Sequence, residues 1–486
     1  MITTTRIEKY HEKNRPLRPW MNHFSKKFII ITCIIVFLLL AIFWNDALDY
    51  RGKISLFAFV SAMILWVGTK IPAGLIALSL LLFIIILKAA SPDLLYSSLS
   101  EEVVWLMLGA FIIGEAVKQS GLAERLIFTL VRKSNKKGQL LNGLGSIVFA
   151  LTFFIPSTSG RAALSMPIIQ QLGKTFSHKE KNGLAILTPI IILMSTSATL
   201  IGAGSHIIGV SLLESTMGQS ISYFEWFIWG VPFAMVITLL SFFIIKGFFW
   251  SKEESKPLTL SQLDDEKSLK NSPLSNKEKA TLALIFILVG GWVTESIHGY
   301  DIAFVTMIGA TIVMMPTYGI ISWKQGMKSV SWNLIIFVAT ATALGSVLVD
   351  TGVVAWIEKE LSQFLHLFKG APDWLIVLTV LLITVTSHLY ITSHTTRALV
   401  FIPSLLIFSE SIGINPSTVT FLSLIGMNYC VTFPVSSKAL LLFYEEGDLS
   451  YDAKQLLKIS IILMPVYILT MMIFYFTFWR WTGMQL

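Results

Sequence analysis

Two short polar motifs interrupt long apolar stretches of the chain, and their residue types suit them to bind a ligand. The first reads Pro-Ser-Thr-Ser-Gly-Arg-Ala-Ala-Leu-Ser-Met-Pro over residues 156–167, and the second reads Thr-Ser-His-Thr-Thr-Arg-Ala-Leu-Val-Phe-Ile-Pro over residues 392–403. In each motif a Ser is followed by an Arg after four residues and by a Pro after ten. Hydroxyl groups, N–H groups at a helix start and a guanidinium charge all bind oxyanions. The pattern therefore predicts an anion site built from both motifs.

Further candidate residues come from two segments that are rich in small and polar side chains, residues 195–206 and 430–438. We expect each segment to interrupt a helix beside one of the two motifs. The complete set of predicted anion-binding residues is Ser157, Thr158, Ser159, Arg161, Gly202, Ser205, Ser393, His394, Thr395, Arg397, Pro434, Ser436 and Lys438.

The composition indicates that these motifs lie inside a membrane. Of the 486 residues, 54% are hydrophobic and 14% are charged, whereas soluble proteins carry about 25% charged residues. Uncharged runs such as residues 28–44, 228–245 and 461–478 approach the length of about 20 residues that crosses a bilayer. The predicted fold class is an all-α polytopic membrane protein, with about 11 spans and two re-entrant hairpins.

The charge distribution predicts the topology. Residues 1–27 contain seven Lys and Arg against two Glu. By the positive-inside rule this segment is predicted to be a cytoplasmic N-terminal tail of a protein in the plasma (inner) membrane. The net charge of +8 is thus explained by topology, and no nucleic-acid partner is expected. The polar residues 251–279 predict a cytoplasmic linker between a first transmembrane repeat, residues 28–250, and a second, residues 280–486.

The two repeats are predicted to have inverted topology. The first motif lies in an apolar segment, residues 140–172, that has basic residues on both flanks, which predicts a hairpin entering from the cytoplasm. The second motif lies in residues 374–408, whose flanks are poor in basic residues, so that this hairpin should enter from outside. Each repeat would also contain a broken transmembrane helix. Two hairpin tips that meet near the midplane would direct helix N-termini at an anion.

Simpler roles are open for the three basic residues. An ionisable residue at membrane depth is a functional hypothesis by default. Arg161 and Arg397 would instead be structural if each paired with an acid such as Glu115 or Asp350. Lys438 would be unrelated to the site if it reached the cytoplasmic water layer.

The architecture and motifs resemble the divalent anion/sodium symporter family, from about residue 54 to the C-terminus. Members of that family carry a Ser-Asn-Thr triplet at the tip of each of two hairpins, ten residues ahead of a Pro, and residues 157–159 and 393–395 fall at those positions. The resemblance implies transport of a dicarboxylate, citrate or sulfate, a homodimer, and an elevator motion of one part of each protomer. It implies no cofactor other than a coupling ion.

The chain departs from the family pattern at the triplets. The central Asn is replaced by Thr158 and His394, and an Arg follows each triplet. Two like charges ~4 Å apart repel by about 4 kcal/mol at an effective dielectric constant near 20. We therefore hypothesise that Arg161 and Arg397 replace the two bound sodium ions as counter-charges for the anion. Transport would then be sodium-independent, by exchange or linked to protons, with His394 as proton carrier.

Other functions are open on the sequence alone. The first alternative is a conventional sodium-coupled dicarboxylate or sulfate symporter, with residual sodium sites near Ser157, Thr158 and Ser393. A cation/proton antiporter, a metalloid-anion pump or a carrier of a larger phosphorylated or sulfonated substrate are further alternatives. An enzyme is not predicted, because the sequence contains no phosphate-binding loop, HExxH or GxSxG motif.

Overall fold

The computed structural model describes residues 26–44, 47–69, 71–122, 125, 129, 134, 136–153, 155, 157–173, 176–250, 273–365, 370–389, 391, 393–445 and 450–486. Residues 1–25 of the predicted tail and residues 251–272 of the predicted linker lie outside this part. The chain forms two compact units, residues 1–45 and residues 46–486. The described part of the first unit is one apolar helix, and the second unit holds the motifs.

The described residues of both units form helices joined by short turns. In chain order the α-helices are α1 (Lys26–Trp44), α2 (Tyr50–Gly68), α3 (Ala73–Ile86), α4 (Asp93–Ser100), α5 (Glu102–Ser120), α6 (Lys137–Ala150), α7 (Thr158–Gly173), α8 (His178–Ser195), α9 (Gly204–Met217), α10 (Tyr223–Phe249), α11 (Asn276–Val293), α12 (Glu295–His298), α13 (Ile302–Val313), α14 (Trp323–Ser329), α15 (Trp332–Asp350), α16 (Val353–Leu365), α17 (Asp373–Thr386), α18 (His394–Ile412), α19 (Pro416–Asn428), α20 (Lys438–Glu445) and α21 (Ala453–Phe474). Short 3₁₀ helices are Leu151–Phe153, Thr196–Ala198, Leu200–Gly202, Ser387–Leu389 and Pro434–Ser436, and a π-helix, Tyr475–Trp479, follows α21.

Many of these helices have the length and composition of membrane spans. Among the described residues, six segments qualify: Glu102–Ser120, His178–Ala198, Tyr223–Phe249, Trp332–Asp350, His394–Ile412 and Ala453–Trp479. Shorter apolar helices include Ala73–Ile86 and Ile302–Val313. The all-α membrane class is therefore confirmed, and the number of about 11 spans stays a prediction.

Capping residues account for several helix starts. Ser177 and Glu180 form a capping box at α8, and Ser222 and Glu225 form one at α10. Ser275 begins α11 in the same way, so that this helix starts at Asn276, inside the range predicted for the linker. Each box satisfies N–H groups that have no partner within the helix.

Both motifs lie where one helix ends and another begins. In the first, α6 and a 3₁₀ turn precede α7, and both arms pack against the next helix, α8. In the second, α17 and a 3₁₀ turn precede α18, and both arms pack against α19. The helix–break–helix segments cover Lys137–Gly173 and Asp373–Ile412, slightly longer than the predicted ranges, residues 140–172 and 374–408.

The helices that follow these segments are also interrupted, and they cross between the two halves of the chain. After α8 the backbone forms two 3₁₀ turns and continues as α9, which packs against α18 and α19 of the second half. After α19 another 3₁₀ turn leads to α20, which packs against α7 and α8 of the first half. Helices α5 and α15 also pack against α9, which positions them beside the two motifs.

Candidate functional site

A cavity of about 290 Å³ lies where the two motifs meet. Its wall combines both triplets with the starts of α9 and α20 and one side of α5 and α15. The lining residues are Met107, Ala110, Phe111, Ser157, Thr158, Ser159, Ala203, Gly204, Ser205, Ile207, Leu334, Ser393, His394, Thr395, Val435, Ser437 and Lys438.

Four helices of the described chain begin at this wall, α7 at Thr158, α9 at Gly204, α18 at His394 and α20 at Lys438. The first N–H groups of a helix have no partner within the helix, and the helix dipole adds a partial positive charge at the same end. Helix starts that converge on one cavity favour an anion in it.

The first serine of each triplet caps its helix. The hydroxyl oxygen of Ser157 accepts a hydrogen bond from the backbone N–H of Gly160 at 3.2 Å, and that of Ser393 accepts one from Thr396 at 3.2 Å. Ser and Thr are favoured at this position because the side chain replaces a missing backbone acceptor. The two motifs therefore start their helices in the same way.

Three polar side chains of the lining, those of Ser205, His394 and Lys438, can contact a ligand in the cavity. In the described structure the hydroxyl of Ser205 and the Nδ1 atom of His394 are buried without a hydrogen-bond partner. The Nε2 atom of His394 lies 3.0 Å from the sulfur of Cys430. Lys438 supplies a positive charge at the start of α20, and none of the described lining residues is acidic. The site therefore combines neutral donors with one full positive charge.

Arg161 lies behind the first triplet and is completely buried. Its Nη1 atom donates to the hydroxyls of Thr152 and, at 3.2 Å, Ser195. Its Nη2 atom donates to the hydroxyl of Thr196 at 3.0 Å and to the carbonyl of Gly202 at 3.1 Å. The guanidinium group thus joins the 3₁₀ turn before α7 to the interruption between α8 and α9.

Arg397 occupies the corresponding position in the second motif, with fewer partners. It is also completely buried, and its Nη1 atom donates to the carbonyl of Tyr429 at 3.3 Å. Among the described residues its Nε and Nη2 atoms have no hydrogen-bond partner. Neither arginine is bonded to an acid in the described structure, so the alternative of pairing with Glu115 or Asp350 is not supported.

The lining differs from the predicted set at five residues. Arg161 and Arg397 point away from the cavity toward the hydroxyls and carbonyls behind it, and Gly202 contributes its carbonyl to Arg161 instead of to the lining. Neither Pro434 nor Ser436 lines the cavity, and the Ser436 hydroxyl accepts a hydrogen bond from the backbone N–H of Phe433. The remaining predicted residues do line the cavity: Ser157, Thr158, Ser159, Ser205, Ser393, His394, Thr395 and Lys438.

A polar connection between the two halves was absent from the predicted set. His206, on α9, is completely buried, and its Nε2 atom lies 2.9 Å from the side-chain oxygen of Asn428 at the end of α19. The side-chain nitrogen of Asn428 donates to the hydroxyl of Ser197 at 3.0 Å. Because these residues are 222 and 231 positions apart, sequence spacing could not pair them. The available signal was that His206 ends the polar segment 195–206 and that Asn428 lies in a largely apolar one.

Long apolar helices, interruptions that carry polar backbone inside the protein, and a cavity at helix starts define a multi-pass membrane transporter. The family model described as "Sodium:sulfate symporter transmembrane region" matches residues 22–485. The chain therefore belongs to the sodium:sulfate symporter family, whose members are transporters and not enzymes.

Relatives in this family include transporters of organic acids. The chain is 23% identical over 482 residues to "Sodium-dependent dicarboxylate transporter SdcS" of Staphylococcus saprophyticus, with 91% of this chain and 90% of that protein covered. It is 24% identical over 318 residues to "Citrate/succinate antiporter" of Escherichia coli, with 62% and 63% covered. A protein of Cupriavidus necator, named "Membrane protein", is 25% identical over 393 residues, with 79% and 76% covered.

A solved transporter structure shares the fold. The YdaH transporter of Alcanivorax borkumensis, whose structure is described as having an unusual topology, aligns with a TM-score of 0.57 at 13% identity. The alignment covers 94% of this chain and 99% of that one.

Proposed function

We propose that the protein is a secondary active transporter that moves a small divalent anion, such as a dicarboxylate, citrate or sulfate, by exchange or together with protons, and without sodium. The cavity at the two motifs carries this proposal. Its helix starts and Lys438 favour an anion, and its lack of acidic lining residues in the described structure argues against a cation/proton antiporter.

The surroundings of Arg161 support sodium independence. The oxygens of Thr152, Ser195, Thr196 and Gly202 surround its guanidinium group. Hydroxyl and carbonyl oxygens are the hard ligands that an alkali cation uses, and here they bind a covalently attached cation instead. A sodium ion beside this charge would be repelled by several kcal/mol at short range, by about 4 kcal/mol at ~4 Å.

The reciprocal packing of the two halves supports inverted repeats and alternating access. Each half contains a helix–break–helix segment. In each half the helix that follows the second interruption, α9 or α20, packs against the other half. In folds built from inverted repeats, alternating access comes from rigid-body movement of one part of the protomer against the other. We further propose an elevator motion, a homodimer in the plasma membrane and a cytoplasmic N-terminus, as the family and the basic tail suggest.

The test is thermal unfolding of the purified protein with a panel of dianions, performed once in sodium buffer and once in potassium buffer. A ligand that binds only the folded state raises the melting temperature. We expect one class of dianion to stabilise the protein equally in both buffers. Stabilisation in sodium alone would support the second candidate, a conventional sodium-coupled symporter, which the name of the Staphylococcus relative favours.

A further inference from the structure

A second polar cavity, of about 210 Å³, lies next to the anion cavity and has the opposite charge. Four carboxylate side chains line it, Glu101 and Glu102 at the start of α5, Glu214 near the end of α9, and Glu295 on the short helix α12. In the described part of the chain none of them forms an ion pair with a lysine or arginine.

A buried hydroxyl also belongs to this cavity. Tyr223 lines the wall at the start of α10, is 1% exposed, and its hydroxyl has no hydrogen-bond partner among the described residues. A buried hydroxyl without a partner is unfavourable, because it has lost its hydrogen bonds to water. The carboxylates and this hydroxyl therefore belong to one polar cavity, which is a suitable place for a proton.

The two cavities are neighbours. Ile207, on α9, lines both of them. On α5, Leu106 lines the acidic cavity and the next residue, Met107, lines the anion cavity. The two cavities are therefore adjacent, and a charge in one of them acts on a charge in the other.

We propose that the acidic cavity is a proton-binding site, at which the carboxylates of Glu101, Glu102, Glu214 and Glu295 take up a proton when a dianion occupies the adjacent cavity. This inference rests on the proposed function and identifies the coupling ion. Among the described residues no group of three His, Cys, Asp or Glu is arranged to hold a metal ion, which favours a proton over a divalent cation. Protonation removes one negative charge that opposes the anion, and by linkage the anion raises the affinity for the proton.

The charges around the carboxylates favour protonation. Burial and the nearby Glu214 carboxylate raise the pKa of Glu101 above its usual value. Burial and the Asp301 carboxylate raise the pKa of Glu295, and His298 partly opposes this shift. On α10 the nearest acid, Glu225, is held by Ser222 in a capping box.

The experiment is calorimetric titration of the purified protein with succinate, in buffers of different ionisation enthalpy, between about pH 6 and pH 8. The dependence of the heat on the buffer counts the protons taken up. We expect the wild-type protein to take up protons when succinate binds. Its succinate affinity should fall as the pH rises, by up to about tenfold per pH unit, which is the limit for one linked proton. The double variant Glu214→Gln/Glu295→Gln should lose most of this uptake, whereas Glu410→Gln, which removes an exposed carboxylate at the end of α18, should keep it.

Three results distinguish the proposals. Undiminished proton uptake in the double variant overturns the acidic cavity as the proton site and favours His394. Succinate binding without proton uptake in the wild type overturns this inference and leaves the proposed function intact. If succinate does not bind at any pH, infrared titration of the carboxylic acid C=O band decides. A band that persists at pH values above the usual pKa range of glutamate, and that is lost in the double variant, supports the site. The absence of such a band overturns it.

Discussion

At the scale of single residues, the guanidinium group of Arg161 places a positive charge behind the first motif. It is completely buried, and four oxygens of the described structure accept its hydrogen bonds. Such partners compensate for the hydration that a buried charge loses. If the side chain were removed, these four oxygens would lose the donor that they share.

We therefore predict that Arg161→Ala converts the protein to one stabilised by sodium. The variant should lose about 1–3 kcal/mol of unfolding free energy in potassium buffer because buried acceptors lose their donor. Sodium should restore part of the loss by occupying the vacated oxygens, measured as a melting temperature that rises with sodium and not with potassium.

The matched control for this prediction is Arg397→Ala. In the described structure Arg397 donates to one carbonyl oxygen, that of Tyr429, so its removal leaves no comparable group of ligands. We expect destabilisation without sodium rescue in this variant. If Arg161→Ala behaves the same way, its oxygens do not form a cation site.

At the scale of elements, the helix starts contribute to the stability of the fold and to the positive electrostatic potential in the cavity. Ser157→Ala and Ser393→Ala each remove the side-chain acceptor at the start of α7 or α18. Each should lower the unfolding free energy by about 1 kcal/mol. Each should also weaken dianion binding, measured by calorimetry, because the helix start at the cavity becomes less ordered.

Ser275→Ala provides the control for these two variants. The Ser275 hydroxyl caps α11 by accepting a hydrogen bond from the backbone N–H of Glu278 at 3.2 Å, and Ser275 does not line the cavity. It should show the loss of stability without the loss of affinity. Equal affinity in all three variants would mean that the caps of α7 and α18 are structural only.

The interrupted helices could be predicted from sequence because their signal is local. Runs of small and hydroxyl-bearing residues, such as residues 195–205, compete with helical hydrogen bonds, and the Thr196 hydroxyl indeed donates to the carbonyl of Ile192 at 2.7 Å. Which way Arg161 points was not predictable, because its acceptors Ser195 and Gly202 are 34 and 41 residues away. The acidic cavity likewise joins Glu102, Glu214 and Glu295 through packing of distant helices.

At the scale of the whole molecule, the acidic cavity makes stability depend on pH. The folded-state pKa values of Glu101 and Glu295 are raised, so the unfolded chain loses these protons first as the pH increases. Stability attributable to these groups is present below the usual glutamate pKa of about 4.3 and is lost as the pH rises through the folded-state values.

Glu101→Gln/Glu295→Gln should therefore raise the melting temperature at neutral and alkaline pH and leave it unchanged near pH 4. Melting curves at several pH values measure the effect, and Glu410→Gln serves as the control. A stabilisation of equal size at every pH would show that ionisation of these carboxylates is not its cause.

The crossing of α9 and α20 between the halves has a consequence for biosynthesis. Helices α7 and α8 acquire the neighbour α20 only after residues 438–445 have been made. The first half therefore reaches its final packing only after α20 of the second half has been made. A chain whose synthesis stops before α20 lacks Lys438 and the helix start that this residue contributes to the cavity.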